Sequence, residues 1–316
     1  MRTLSKSVVR SLASEPAEWF LQNRLSYLAT AEETGNEYAL VHALGGRDVM
    51  APPHIHSLED ELFVLLKGEA TFRVADKAYK ATPGSIVYLP RGLAHQPADL
   101  SEDAEALILI TPGEYINFYK QNSIPASRPG RPSVTEAHIP PVEDILSLGR
   151  QYGLTFLPPG AAVSSWPIPE VHAESLHVKA GEGETLNVLG SKLTIKLEGS
   201  QTQNLFSVFE IEDPAGMNGP LHIHHADSEA FFVMEGAYEI TIGDKTERIA
   251  AGSFVYIPKG VPRRRRNYTQ TTGRIWSITA TSGHEHFYRE ISRMEKFDAA
   301  RLEVVGRRYG IEMLGK

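Results

Sequence analysis

The chain has 316 residues, 41% of them hydrophobic, with 32 basic against 39 acidic residues and a formal net charge of -7. That length holds two ordinary domains, and the acidic balance removes any global basic field for nucleic acid or anionic membrane, so a small-molecule or protein partner is expected. Cysteine is absent, which excludes disulfides, thiolate metal sites and cysteine nucleophiles and leaves the chemistry to histidines, carboxylates and oxygen groups.

The first twenty residues, MRTLSKSVVRSLASEPAEWF, contain only short apolar runs broken by Ser and Arg, so no signal peptide is expected there. No later segment approaches the roughly 20 apolar residues of a membrane helix, and the expected location is the cytoplasm. Residues 16–23 predict a short helix. Beyond them the chain reads as short strands at 61–66, 70–75 and 85–90, bounded by Gly, Pro or Asp. Gly68, Gly84 and Gly92 stand where strands must turn and positive φ is cheap. A Pro-rich stretch over 125–141 reads as a connection, and 142–152 predicts a helix. Strands resume at 229–234, 237–243 and 253–258, with Gly236, Gly252 and Gly260 at the turns, and 299–309 predicts a last helix. Many short strands at close spacing argue for an antiparallel barrel or sandwich in each half, so the fold class is all-β with a few flanking helices.

The second half is a copy of the first. At an offset of 168 residues, PPHIHSLEDELFVLLKGE is answered by GPLHIHHADSEAFFVMEGA, and PGSIVYLPRGLAH by AGSFVYIPKGVPR. TPGEYINFYK from Thr111 resembles TSGHEHFYRE from Thr281 at an offset of 170, and GRQYG from Gly149 is echoed by GRRYG from Gly306. Self-similarity of this kind marks a duplicated domain, with expected halves 1–140 and 141–316. Whether the two barrels pair within one chain or through a homodimer is left open by the sequence.

His54 and His56 are two apart, so on a strand they share a face. Glu61 follows five residues later, and His95 lies in Gly84-(x)5-Pro90-x-Gly92-x-x-His95, where a strand, a Pro-Gly turn and a return strand can bring one imidazole back to the same place. A lone HxH is more often an ordinary pair of barrel residues. Joined to a Glu and a distant His among correctly spaced glycines and proline, it becomes a specific combination. Three imidazoles and a carboxylate suit one divalent transition metal per chain, Fe, Mn, Ni, Co, Cu or Zn, and leave coordination positions for water, dioxygen or a chelating substrate. Phe63, Leu65, Phe72 and Tyr88 lie on strands near these residues and are candidates to line a pocket, although barrel strands need such residues for packing in any case.

The second copy supplies His222, His224 and Glu229, but Arg263 stands where the fourth ligand belongs. A guanidinium has no lone pair to give a metal and can pair with Glu229 instead. The three remaining residues make a weaker second site at most, and a structural role for this barrel is the favoured expectation. His225 is expected to point outward by alternation. The run 263–266 of four arginines reads as a solvated edge with carboxylate partners rather than a nucleic-acid patch.

These two motifs, HxH(x)4E(x)6G and G(x)5PxGxxH, resemble those of the cupin superfamily, with Asp48 where that pattern often has glycine and Asp99 where it commonly ends in asparagine. The duplication, the length and the offset together are similar to the bicupin quercetin 2,3-dioxygenases, over most of the chain. That resemblance implies two tandem jelly-roll-like cupin barrels and a metal-dependent dioxygenase that cleaves a flavonol or a related enolisable aromatic compound. It further implies a substrate chelating the metal through hydroxyl and carbonyl, addition of dioxygen, and loss of carbon monoxide. Glu61 would then be both ligand and base. The alternatives are a metal-dependent isomerase, cyclase or decarboxylase using the same ligands without oxygen, and a non-enzymatic binding or storage bicupin.

Overall fold

The computed structural model describes residues 6–314 apart from 48–50, 159, 170–172, 282 and 295; Asp48, one of the two departures from the motif, lies outside the described residues. The chain forms two compact units, one of Glu15–Gly181 and the other running from Glu182 onward and taking in the strand Val8–Ser11.

In the first unit a long sheet has the strand order Ile124–Pro125, Glu18–Phe20, Asn23–Ala29, Ala39–Leu44, Glu105–Thr111, Asp60–Lys67, Ile86–Leu89, Leu176–Val178. A shorter sheet has the order Leu154–Phe156, His54–His56, His95–Ala98, Ala70–Val74, Lys77–Ala81. Alternation along each strand turns Leu25, Val41, Phe63, Leu65 and Val87 of the first sheet toward Ala70, Phe72, Val74 and Leu154 of the second, and these form one core. Pairing is antiparallel in both sheets, which is the all-β barrel that the short strands predict.

The second unit repeats this plan. Its longer sheet includes Ser228–Glu235, Gly273–Ala280 and Ser207–Asp213, and its shorter one includes Ala237–Ile242, Arg263–Asn267, His222–His224 and Ile311–Met313. Leu193, Phe209, Phe231 and Val255 meet Tyr238, Ile240 and Ile311 between them.

Three expectations need correction. Residues 16–23 are not helical: Glu18–Phe20 is a strand between Asn23–Ala29 and Ile124–Pro125, and pairing with neighbours on both sides overrides a weak local pattern. The compact units part after Gly181 rather than after residue 140, because Leu154–Phe156 pairs with His54–His56 and Leu176–Val178 pairs with Ile86–Leu89, both inside the first unit. The stretch 125–141 is not a free connection either, since Trp19 donates to the Gly130 carbonyl at 3.1 Å and Leu21 bridges to His138.

The helices at Val142–Gln151 and Ala299–Arg308 form as predicted. Each ends in a glycine with φ of 70°, Gly153 and Gly310, the left-handed conformation that lets the chain reverse at a helix end. The strand that follows pairs with the HxH strand, Leu154 opposite His56 and Ile311 opposite His224. The echo of GRQYG in GRRYG is therefore the turn that seats each histidine strand. His225 points outward, to Glu312 at 2.8 Å, as alternation requires.

Candidate metal centre

The first barrel brings its four predicted residues together. His54 and His56 lie on one strand, His95 sits directly opposite His54 on the neighbouring strand, and Glu61 comes from the facing sheet. One ligand atom from each lies within 4.8 Å of all the others. The Glu61 Oε2 is 3.2 Å from His95 Nε2 and 3.7 Å from His56 Nε2. His56, Glu61 and His95 are buried, and His54 is half-buried at the open side.

The outer nitrogens of two of the three imidazoles are hydrogen-bonded. His54 Nδ1 donates to the Pro52 carbonyl at 2.8 Å and His95 Nδ1 to the Leu93 carbonyl at 2.9 Å, while His56 Nδ1 faces Glu59 at 3.4 Å. For His54 and His95 this favours the tautomer that leaves Nε2 with a lone pair, and the three rings converge with Glu61 on a common point. The His56 Nε2 is buried without a hydrogen-bond partner, an expensive arrangement unless an electrophile takes its lone pair. Burial, then the neighbouring His95 and His56, push the His54 pKa well below its usual value, so its imidazole is neutral. For Glu61, burial alone would raise the carboxyl, but the surrounding histidines, His56 first and then His95, outweigh it and hold it at about 2. Neutral imidazoles and an ionised carboxylate are the forms that bind a cation, and this donor set fits a divalent transition metal.

Two partners escaped the sequence reading. Glu59 stands behind His56, and its counterpart Asp227 stands behind His224 at 3.3 Å; an acid at the same place in both copies was the available signal. Tyr115 packs edge-on against the His56 ring at 4.6 Å, and His284 takes the corresponding place against His224, also at 4.6 Å. The flanking pairs Phe118 and Phe287, Tyr119 and Tyr288 follow the same register. Between the helical segments 113–122 and His284–Ile291 that carry these residues the offset is thus 169 residues, not the 170 that the leading Thr and Gly suggest.

Of the pocket candidates, Phe63, Leu65 and Phe72 belong to the core. Tyr88 does not line a pocket with them: its side chain lies on the opposite face, donating to Asp60 at 2.7 Å, which also accepts from Arg91. Asp99 has a positive φ of 49° and pairs with Arg73 at 2.7 Å, clear of the ligands.

In the second barrel His222, His224 and Glu229 also converge within 4.8 Å. Here the His222 and His224 Nε2 atoms are 3.0 Å apart and hydrogen-bonded to each other. Arg263 lies opposite His222 in the place of His95, fully buried, with its Nη1 3.6 Å from Glu229. Burial pulls the guanidinium pKa down, and Glu229 and Asp227 counter it. A third cluster, His224, Asp227 and His284, shares His224 with the second, and its Asp227 accepts from His284 Nδ1 at 2.9 Å. The arginine run is not one solvated edge. Arg264 and Arg265 are half-buried, Arg265 binding the buried Asp213 at 2.8 Å, and only Arg266, paired with Glu239 at 3.2 Å, is exposed. Among the described residues no helix is long and apolar enough to cross a membrane.

The geometry defines a duplicated barrel with a His3Glu centre in one copy, and the cupin domain family matches twice, at residues 41–111 and 209–279. The chain is a bicupin. It is 23% identical over 284 residues to quercetin 2,3-dioxygenase of Bacillus subtilis, covering 83% of this chain and 80% of that protein. An uncharacterised Streptomyces coelicolor protein is 29% identical over 89 residues, 28% of this chain and 82% of its own length. Among solved structures, oxalate decarboxylase of Bacillus subtilis superposes with a TM-score of 0.60 at 16% identity, covering 99% of this chain and 89% of that one. That likeness establishes the shared fold.

Proposed function

We propose that this protein is a metal-dependent dioxygenase that opens a flavonol such as quercetin, or a related enolisable aromatic compound. The observation that carries the reading is the convergence of three imidazoles and one ionised carboxylate, with both His56 nitrogens buried and without a hydrogen-bond partner. His54, His56, His95 and Glu61 hold the divalent transition metal. When bound, the metal supplies Lewis acidity to a chelating hydroxyl and carbonyl and a place for dioxygen, which brings the hydroxyl within reach of a weakly basic carboxylate. Glu61 is ionised and can accept that proton. Pro52, Leu93 and Glu59 keep the imidazoles oriented throughout. The half-buried His54 marks the side from which substrate enters. The likeness to quercetin 2,3-dioxygenase across 80% of that protein supports the choice of substrate class.

An isomerase or decarboxylase would use the same ligands without oxygen, so an anaerobic assay separates the readings. Metal-loaded protein is expected to consume quercetin only in the presence of dioxygen, with carbon monoxide released in step. Turnover that persists without dioxygen refutes the oxygenase reading and moves the reaction to the non-oxidative class.

A further inference from the structure

We propose that Arg263 is the resident cation of the second barrel, that this barrel holds no metal because of it, and that a histidine at this one position would open a latent second metal site. The proposal uses the first barrel's ligand set as its comparison and is independent of the reaction assigned there.

The backbone frames agree residue for residue. His222 opposes Arg263 as His54 opposes His95. Arg263 Nε donates to the Val261 carbonyl at 3.3 Å, as His95 Nδ1 donates to the equivalent Leu93 carbonyl at 2.9 Å. His222 Nδ1 donates to the Pro220 carbonyl at 2.9 Å, as His54 does to Pro52 at 2.8 Å. Only the head group differs. The guanidinium is anchored by Nη2 on the Pro258 carbonyl at 2.7 Å and by Nη1 on the Ile257 carbonyl at 3.4 Å, with Glu229 at 3.6 Å. Its fixed fork of donors is met by the carbonyls of the Pro-Gly turn.

The charge count points the same way. Around the first centre, Glu59 and Glu61 bring two negative charges and the ligating set contains no guanidinium or ammonium, so a dication leaves the buried site neutral. Around the second, Asp227 and Glu229 are already partly offset by buried Arg263. A dication added there would leave a surplus of positive charge out of contact with water. The close contacts also differ: in the second barrel the His222 and His224 Nε2 atoms lie 3.0 Å apart, whereas in the first the shortest such contact joins His95 Nε2 to Glu61 at 3.2 Å.

The experiment is metal stoichiometry by elemental analysis, on chelator-stripped protein reloaded with Mn(II) or Zn(II) and desalted. The expected values are one equivalent per chain in the wild type, none in a His54→Ala/His56→Ala variant, and one more than the wild type in Arg263→His. The extra equivalent disappears in Arg263→His/His222→Ala. A wild type with two equivalents, one of them lost in His222→Ala, overturns the proposal. So does a folded Arg263→His protein that gains nothing. Should Arg263→His fail to fold, the His54→Ala/His56→Ala variant decides: metal retained there overturns the proposal, and none retained upholds it. A wild type with no metal at all would sink the reading of the first barrel, while a gain of one equivalent in Arg263→His would still uphold that of the second.

Discussion

Glu59 touches no ligand position itself, so replacing it by Gln tests whether the orientation of His56 matters as much as its presence. The side chain keeps its length but loses the charge that faces His56 Nδ1 at 3.4 Å, and the amide can present a hydrogen where the ring needs an acceptor. Loss of such an outer partner typically weakens metal binding about 10–100-fold, which is roughly 1.4–2.8 kcal/mol at 1.4 kcal/mol per tenfold. The charge count strengthens the expectation, since the site falls from two carboxylates to one in a buried setting. The assay is competition between demetallated protein and a chromophoric chelator, with near-ultraviolet circular dichroism to show that the fold is intact. A dissociation constant within twofold of wild type in a folded protein refutes the argument that Glu59 positions His56. Asp227→Asn, the same change behind His224, is the control, and it should leave metal content unchanged.

Glu61→Gln should lower turnover more than metal content, and equal loss of both would mean that Glu61 is a ligand without a role in proton transfer. Phe209→Ala removes a fully buried side chain from the second core and should cost about 3–5 kcal/mol in chemical denaturation; less than 1 would show that the core collapses around the gap. Glu285 is buried and accepts from Ser207 Oγ at 2.7 Å and from two backbone amides. Burial would raise its carboxyl, but these donors outweigh it and hold it below its usual 4.5. Its contribution is therefore complete above pH 4.5 and lost as pH falls through the lower folded-state value. Glu285→Gln should cost about 1–3 kcal/mol at pH 7, with the gap to wild type narrowing in acid; a gap that widens there would reverse the assigned direction. Removing residues 1–14 should lower the stability of the second unit selectively, because Val8–Ser11 pairs along Ser253–Tyr256; melting unchanged from full length would show that this pairing contributes nothing.

The convergence of His54, His56, Glu61 and His95 was legible because metal binding demands particular residue types at spacings that a strand and a Pro-Gly turn dictate, and these four satisfy them in the sequence as they stand. The six turn glycines were legible for a similar reason, each having positive φ in the structure. Glu59 was not, since an acid beside a motif is commonplace until a histidine nitrogen is seen facing it. Tyr115 was hidden by register: its helix counterpart is His284 at an offset of 169, and a difference of one residue turns the side chain to another face. The strand Glu18–Phe20 was misread because one of its partners, Ile124–Pro125, lies far along the chain and the other begins only at Asn23, the end of the stretch. Periodicity within eight residues carries no trace of them.

The pairing of Val8 with Tyr256 also bears on how the molecule is made. This strand leaves the ribosome well before the rest of the barrel it belongs to. At about 5–20 residues per second, its partner emerges roughly 12–50 s later. Throughout that interval the first barrel can close while the early strand waits unpaired, an open edge of the kind that recruits foreign strands. The Arg10 side chain within VVRS puts a charge on that waiting edge, so the segment carries its own protection against mispairing until its place in the second barrel exists.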